Sequence, residues 1–391
     1  MTQEIRDLCC SRTSTSEIGA SCPPASGSTR RGVLGAALGL VAAGALLPAA
    51  TASATASSAR PGLALAPRRG ASVVLLGTQG GPPPNPNRAG ISSALVVDGA
   101  TYLVDAGRAA VTQYVASGLA WADLRSVFVT HLHADHVADL FQIFLLGGFQ
   151  APGQGDTLAG PIPVYGPGPA GGLPPVYGGG QAPTTSPGDP TPGLAGFLDH
   201  VGAAFAYSTN VFMRDSRIRE TRSLAAAHEI VLPPVGAGYQ QTAPVMEPFV
   251  VMEDDRVRVT AVLVPHGPVF PAFAYRFDTD HGSVTFSGDT TAHSNLVRLA
   301  RGSDLLVHEA INVRGWSGPP AVADHLLQSH VEVQEVGAIA QRADVERLVL
   351  SHIGDMAESQ RLDVRKWHRW AQRGYDGRVL VGNDLDVVRV R

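Results

Sequence analysis

Residues 126–136 read Ser-Val-Phe-Val-Thr-His-Leu-His-Ala-Asp-His. The first half is β-branched and aromatic, the composition of a strand buried in a sheet. The second half sets His131, His133, Asp135 and His136 almost side by side. A buried strand does not carry such groups inward unless they satisfy one another or bind something. The segment therefore demands a sheet whose strand end opens onto a polar centre. In an extended stretch His131 and His133 point the same way and reach one metal. A turn after Ala134 redirects Asp135 and His136 towards a second metal nearby. Neutral imidazoles and carboxylates are ligands for Zn²⁺, and with less preference for Mn²⁺ or Fe²⁺.

Thiolates take no part. Cys9, Cys10 and Cys22 all precede the body of the chain, which has neither a disulfide framework nor a Cys ligand. The 391 residues are 44% hydrophobic, enough for one large core or two ordinary ones, and the formal charge is only −4. Nucleic-acid binders usually carry a basic excess, which is missing here.

The N-terminus predicts export. Arg30 and Arg31 precede an apolar, Gly/Ala-rich run from Val33 to Ala50, with Ala50-Thr51-Ala52 or Ala52-Ser53-Ala54 as cleavage sites. This pattern resembles a twin-arginine signal over residues 1–54, read by the twin-arginine export machinery, and places the mature protein outside the cytoplasm. A transmembrane anchor would use the same run, but its Gly and Ala content makes it a weak one. No stable membrane insertion is expected after cleavage. Residues 55–71 read as a linker, and 72–391 as a single domain.

Strands are expected over Ser72–Gly77, Ser93–Val97 and Thr101–Asp105, the last two joined by an Asp98-Gly99 turn, and over Ser126–Thr130. Helices are expected over Ala109–Ser117 and Val137–Leu146. Residues 151–192 are rich in Gly and Pro and read as a long surface loop holding one strand, Ile162–Tyr165. Further strands follow at Val257–Val264, Ala272–Phe277, Ser283–Ser287, Leu305–Val307 and Arg347–Ser351, with a helix over Val331–Arg342. Arg378–Val390 reads as a closing hairpin turning at Asn383-Asp384. Strands and helices in this order suggest a layered α/β domain.

The cluster at His131 resembles the His-x-His-x-Asp-His signature of the metallo-β-lactamase superfamily. Other segments resemble that family in the same order: Asp105-Ala106-Gly107, Val264-Pro265-His266-Gly267, Phe286-Ser287-Gly288-Asp289-Thr290 and Leu350-Ser351-His352. The resemblance implies a four-layer αββα sandwich with two metals, zinc first. One metal would take His131, His133, His266 and Asp289. The other would take Asp135, His136, His352 and the shared Asp289. Asp105 is then a residue that holds a ligand in place, and His308 is either another such residue or a packed histidine. His200, His228, His281, His293, His325 and His368 read as surface or packed residues.

Within the superfamily the likeness is to the ribonuclease Z and aryl-sulfatase branches. Val307-His308-Glu309-Ala310 resembles a His-Glu-Ala segment of ribonuclease Z, and Ser329-His330 part of its His-Ser-Thr motif, although Val331 stands where the family has Ser. By that resemblance His330 is catalytic, steadying charge on the substrate or protonating the leaving oxygen; Asp135 is expected to relay the proton that a metal-bridging water gives up on becoming hydroxide. The expected substrate is a small phosphate (phosphodiester) or sulfate ester. A lactone or other carboxylic ester is the alternative, and an inactive metal-binding protein a remote one. Transfer RNA is disfavoured, because no Lys or Arg occurs between Arg125 and Arg214 and polyanions need neutralising cations. A homodimer is compatible with the sequence.

Overall fold

The computed structural model describes residues 67–151, 153–176, 179–356 and 361–391. The export segment and most of the linker lie outside the described residues. The described residues cluster as one compact unit. No helix among the described residues is long and apolar enough to cross a membrane.

Two seven-stranded sheets dominate it. The first is built from β1 (Ala71–Gly77), β2 (Ser92–Val97), β3 (Ala100–Val104), β4 (Leu124–Phe128), β5 (Ile162–Gly166) and β6 (Ala225–Glu229). The second runs through β7 (Phe249–Glu253), β8 (Val257–Leu263), β9 (Phe273–Thr279), β10 (Gly282–Phe286), β11 (Leu305–Asn312), β12 (Arg347–Asp355) and β13 (Arg378–Val381). A last strand, β14 (Val387–Arg389), returns to the first sheet beside β1. Both sheets follow one plan, in which three antiparallel pairings lead into three parallel ones.

Strand β1 shows why the sheets stack. Val73 and Leu75 point into the core shared with the second sheet, while Val74 and Leu76 point to the opposite face. Both faces are covered, so the strand reads as a continuous apolar run. On the outer side lie α1 (Ala110–Ala116), α3 (Leu140–Gly147) and α4 (Leu194–Ala204). The helices α6 (Ser294–Leu299), α8 (Val333–Arg342) and α9 (Val364–Ala371) pack on the second sheet through Leu296, Val336 and Trp367. The result is the expected αββα sandwich. Phe128 locks its middle, meeting Phe277 edge-on at 5.0 Å and stacking on Tyr165 at 5.1 Å. The Tyr275 hydroxyl crosses between sheets to donate to the Val129 carbonyl at 2.8 Å.

Several elements depart from the sequence reading. Strand β4 ends at Phe128, which frees Val129–His133 to form the loop that carries the histidines. The expected helix over Val137–Leu146 is split into α2 (Ala134–Val137) and α3. The closing hairpin is wrong: β13 pairs with β12 and β14 with β1, in different sheets. Asp384 explains the crossing, since its carboxylate accepts from Thr78 Oγ1 and from Ala89 N, both at 2.6 Å, and pulls the connection across the sandwich. The helices α4, α5 (Ala206–Ser216), α6, α7 (Pro320–Ser329) and α9 and the strands β6 and β7 have no counterpart in the sequence reading.

Candidate metal centre

Parallel strands point their carboxyl ends the same way, and ligand sites collect there. After β4, the loop delivers His131 and His133 with ring centroids 4.7 Å apart, and α2 turns Asp135 and His136 inward. From the second sheet, β8 leads to His266, β10 to Asp289, and β12 itself carries His352. His352 holds a left-handed backbone (φ 45°), a strained conformation that persists where the surroundings impose it.

The other six side chains gather about Asp289, and four of them stand within 4 Å of one carboxylate oxygen, Oδ2. It lies 3.1 Å from His352 Nε2, 3.3 Å from His136 Nε2, 3.8 Å from His266 Nε2 and 3.9 Å from His131 Nε2. His131, His133 and His266 form one triad with ligand atoms within 4.8 Å of one another, and Asp135, His136 and His352 form another. His131 Nε2, His136 Nε2, Asp135 Oδ1 and Asp289 Oδ1 are buried and make no hydrogen bond among the described residues. Buried polar atoms rarely go unpaired. Lone pairs converging in this way fit divalent cations.

The imidazoles are oriented from behind. His266 Nδ1 lies 2.8 Å from the Ser329 carbonyl, an acceptor only, so that nitrogen carries the proton and Nε2 faces inward with its lone pair. His136 Nδ1 lies 2.9 Å from Asp105 Oδ2, while Asp105 Oδ1 accepts from Thr130 N at 2.8 Å. Asp135 Oδ2 accepts from the backbone N–H of Gly81 at 3.1 Å. The preceding Gly80 packs flat on His352, where a Cβ would stand 2.8 Å from its Nδ1.

The electrostatics divide the cluster. Burial, together with the neighbouring His136 and His266, holds His131 well below the ordinary histidine value, and burial takes His266 to about 3. Both are neutral donors of lone pairs. Burial also opposes charge on His136, but the Asp289 and Asp105 carboxylates overcome it and raise that ring well above the usual value. Asp289 is correspondingly held well below the carboxylate range by His352 and His136, against the effect of burial.

His330, at the end of α7, stands at the rim of this cluster. Its Nδ1 is 3.9 Å from Asp289 Oδ2 and 3.3 Å from Glu309 Oε1. Burial works against its charge, yet Glu309 and Asp289 raise its pKa to about 9. Glu309 is the residue that sequence reasoning missed, although the His-Glu-Ala segment contained the signal. It also accepts from Val331 N at 3.0 Å, which holds the turn before α8 in place. Among the described residues His308 bonds no ligand side chain; its Nδ1 lies 2.5 Å from the Glu309 carbonyl. Of the histidines read as bland, His281 pairs with Asp98 at 2.7 Å, His293 caps α6 and His228 stacks on Tyr165.

The metallo-beta-lactamase superfamily model matches residues 87–151. The ribonuclease Z of Mycobacterium bovis (strain BCG / Pasteur 1173P2) is 30% identical over 323 residues, covering 81% of this chain and 98% of that protein. The chain is a ribonuclease Z-like member of the metallo-beta-lactamase superfamily. Solved structures agree on the fold. The human short-form tRNase Z superposes with a TM-score of 0.53 at 21% identity, over 82% of this chain and 99% of its own. The metallo-beta-lactamase fold protein YhfI of Bacillus subtilis does so at 0.50 and 18%, over 81% and 98%. This superfamily member is thus a metal-dependent hydrolase of the phosphodiesterase type, on a fold that binds divalent metal.

Proposed function

We propose that the protein is an exported dinuclear hydrolase of small phosphodiesters, with small sulfate esters as the next class. His131, His133, His266 and Asp289 would hold one metal, and Asp135, His136, His352 and Asp289 the other. The observation that carries this reading is the meeting of two three-residue clusters at one buried Asp289 oxygen. Two bound divalent ions, zinc by the chemistry of the donor set, supply Lewis acidity and a water of lowered pKa.

The chain's own residues do the rest. Asp105 and the Ser329 carbonyl fix the tautomers of His136 and His266. Asp135, anchored by Gly81 N–H, takes the proton of the attacking water. His330, kept protonated by Glu309 and Asp289, gives its proton to the leaving oxygen or steadies charge on the other phosphoryl oxygens.

A small substrate is supported by the scarcity of cations around the site. Two grooves flank α7, and the cations among their described lining residues are Arg88 and Arg361. The Arg88 guanidinium is occupied by Thr78 Oγ1, the Gly382 carbonyl and Asn383 Oδ1. A polynucleotide would need several more.

The test is metal analysis of protein purified without chelator, followed by a panel of bis(p-nitrophenyl) phosphate, p-nitrophenyl phosphate, p-nitrophenyl sulfate and a chromogenic lactone. About two equivalents of metal and a phosphodiester preference are expected. Full activity with one equivalent, or turnover confined to the lactone, would overturn the reading.

A further inference from the structure

The larger groove beside α7, about 900 Å³, adjoins the second ligand triad. Its floor includes Gly80 and Gly81, and Gly81 N sits 3.1 Å from Asp135 Oδ2 and 3.4 Å from His352 Nε2. Ile353 lines it immediately after His352. On the α7 side, Leu326 lines it one turn before His330, whose backbone N–H donates to the Leu326 carbonyl at 2.9 Å. The groove is thus bordered by immediate neighbours of the ligand centre, Gly81 and Ile353 on one side and Leu326 on the other.

Its walls are unlike those of a phosphate-binding channel. Pro82, Trp316, Val322, Leu326, Met356 and Leu362 supply carbon surface from four separate segments of the chain. Trp316 has already committed its indole N–H to the Pro319 carbonyl at 3.2 Å, so what it offers is ring carbon. The charged members are mostly engaged. Asp384 accepts from Thr78 and Ala89, and Asp355 accepts from Asn312 Nδ2 at 3.0 Å and from Trp367 Nε1 at 2.9 Å. Arg361 stands at the exposed rim. The second groove, on the other face of α7, is more polar, with Gln240, Thr242, Asp324, His325 and Gln328 in its lining.

We propose that this apolar groove takes a ring-sized, uncharged ester arm of the substrate, making the enzyme selective for phosphodiesters that carry an aryl group. The inference rests on the hydrolase reading above and adds the side chains that choose the substrate. Burying one extra apolar group in a closed pocket discriminates by roughly 10–200-fold. A sugar-phosphate arm lying along Trp316 and Leu326 would instead place hydroxyls and charge against carbon surface.

The test keeps the leaving group constant. We would compare p-nitrophenyl phenyl phosphate with p-nitrophenyl methyl phosphate on the metal-loaded enzyme, in the wild type, Trp316→Ala and Leu326→Ala. A phenyl-to-methyl ratio of kcat/KM of about tenfold or more, collapsing towards the ratio of the uncatalysed reactions in both variants, is expected. Equal ratios in all three proteins would overturn the proposal while leaving the hydrolase reading intact. Absence of any diester turnover would sink that reading, and the groove would then be judged by binding alone. Phenylphosphonate should quench tryptophan fluorescence at lower concentration than methylphosphonate, and Leu326→Ala, which keeps the Trp316 reporter, should narrow the difference. Equal affinities would overturn the groove assignment.

Discussion

Asp105→Asn perturbs the centre without replacing a ligand. Asp105 Oδ1 accepts from the buried Thr130 N–H and Oδ2 from His136 Nδ1, with the Thr130 hydroxyl 3.1 Å and 2.9 Å from the two oxygens. An asparagine has one acceptor oxygen and must fail one of them. If the oxygen stays on Thr130, the amide NH₂ confronts His136 Nδ1 and drives the imidazole proton to Nε2, the nitrogen facing Asp289. The backbone gives no relief, because φ at Asp105 is 58° and Asn tolerates that region as well as Asp does. A lost charge-assisted hydrogen bond is worth about 1.5–3 kcal/mol. That corresponds to roughly 10–100-fold in metal affinity, the usual penalty for removing a group behind a ligand. Chelator competition with stepwise metal addition should show the second equivalent weakened by that factor and the first changed by less than about threefold. Two equivalents bound with wild-type affinity would refute the argument, since Asp105 would then not set the His136 tautomer.

His330→Ala should keep both metals, yet lose about 10²–10⁴-fold in turnover, less for nitrophenolate than for poorer leaving groups; a lost metal would make His330 a ligand instead. Glu309→Gln removes the carboxylate that most strongly raises His330. A raised pKa keeps the ring protonated to higher pH, so the variant's alkaline limb of kcat/KM should move to lower pH at unchanged metal content. A limb that stays in place would take His330 out of the proton transfer. Replacing Arg30 and Arg31 together with Lys should leave the precursor in the cytoplasm, and normal export, followed by fractionation, would show the segment to be misread.

The ligand cluster was legible because its signal is chemical and local. His131, His133, Asp135 and His136 are consecutive in function, and His266, Asp289 and His352 each end or follow an apolar strand run. What escaped was set by partners far off in sequence. Asn383-Asp384 between two β-type runs is a fair hairpin signal, but Asp384 is held by Thr78 and Ala89, so the runs separate into different sheets. The helices α4 and α5 escaped because Leu194 and Leu198 are the buried side chains of one and Thr209 that of the other, too few to print a period. Helix α9 likewise buries Trp367 and Ala371. The Gly81 N–H that steadies Asp135 belongs to the backbone, and a residue string does not show where a backbone donor points.

The pairing of Val73 with Val388 in β1 and β14 has a consequence for dissection of the molecule. The two look-alike sheets invite a cut between β6 and β7, as if each half were a module. Such a fragment would keep His131, His133, Asp135 and His136 but lose the strand that covers β1. It would be left with a bare, apolar strand edge, the template on which unrelated chains stack and precipitate. The halves should therefore recover only when mixed, one supplying the border of the other, and the enzyme should behave as an indivisible object despite its repeated plan.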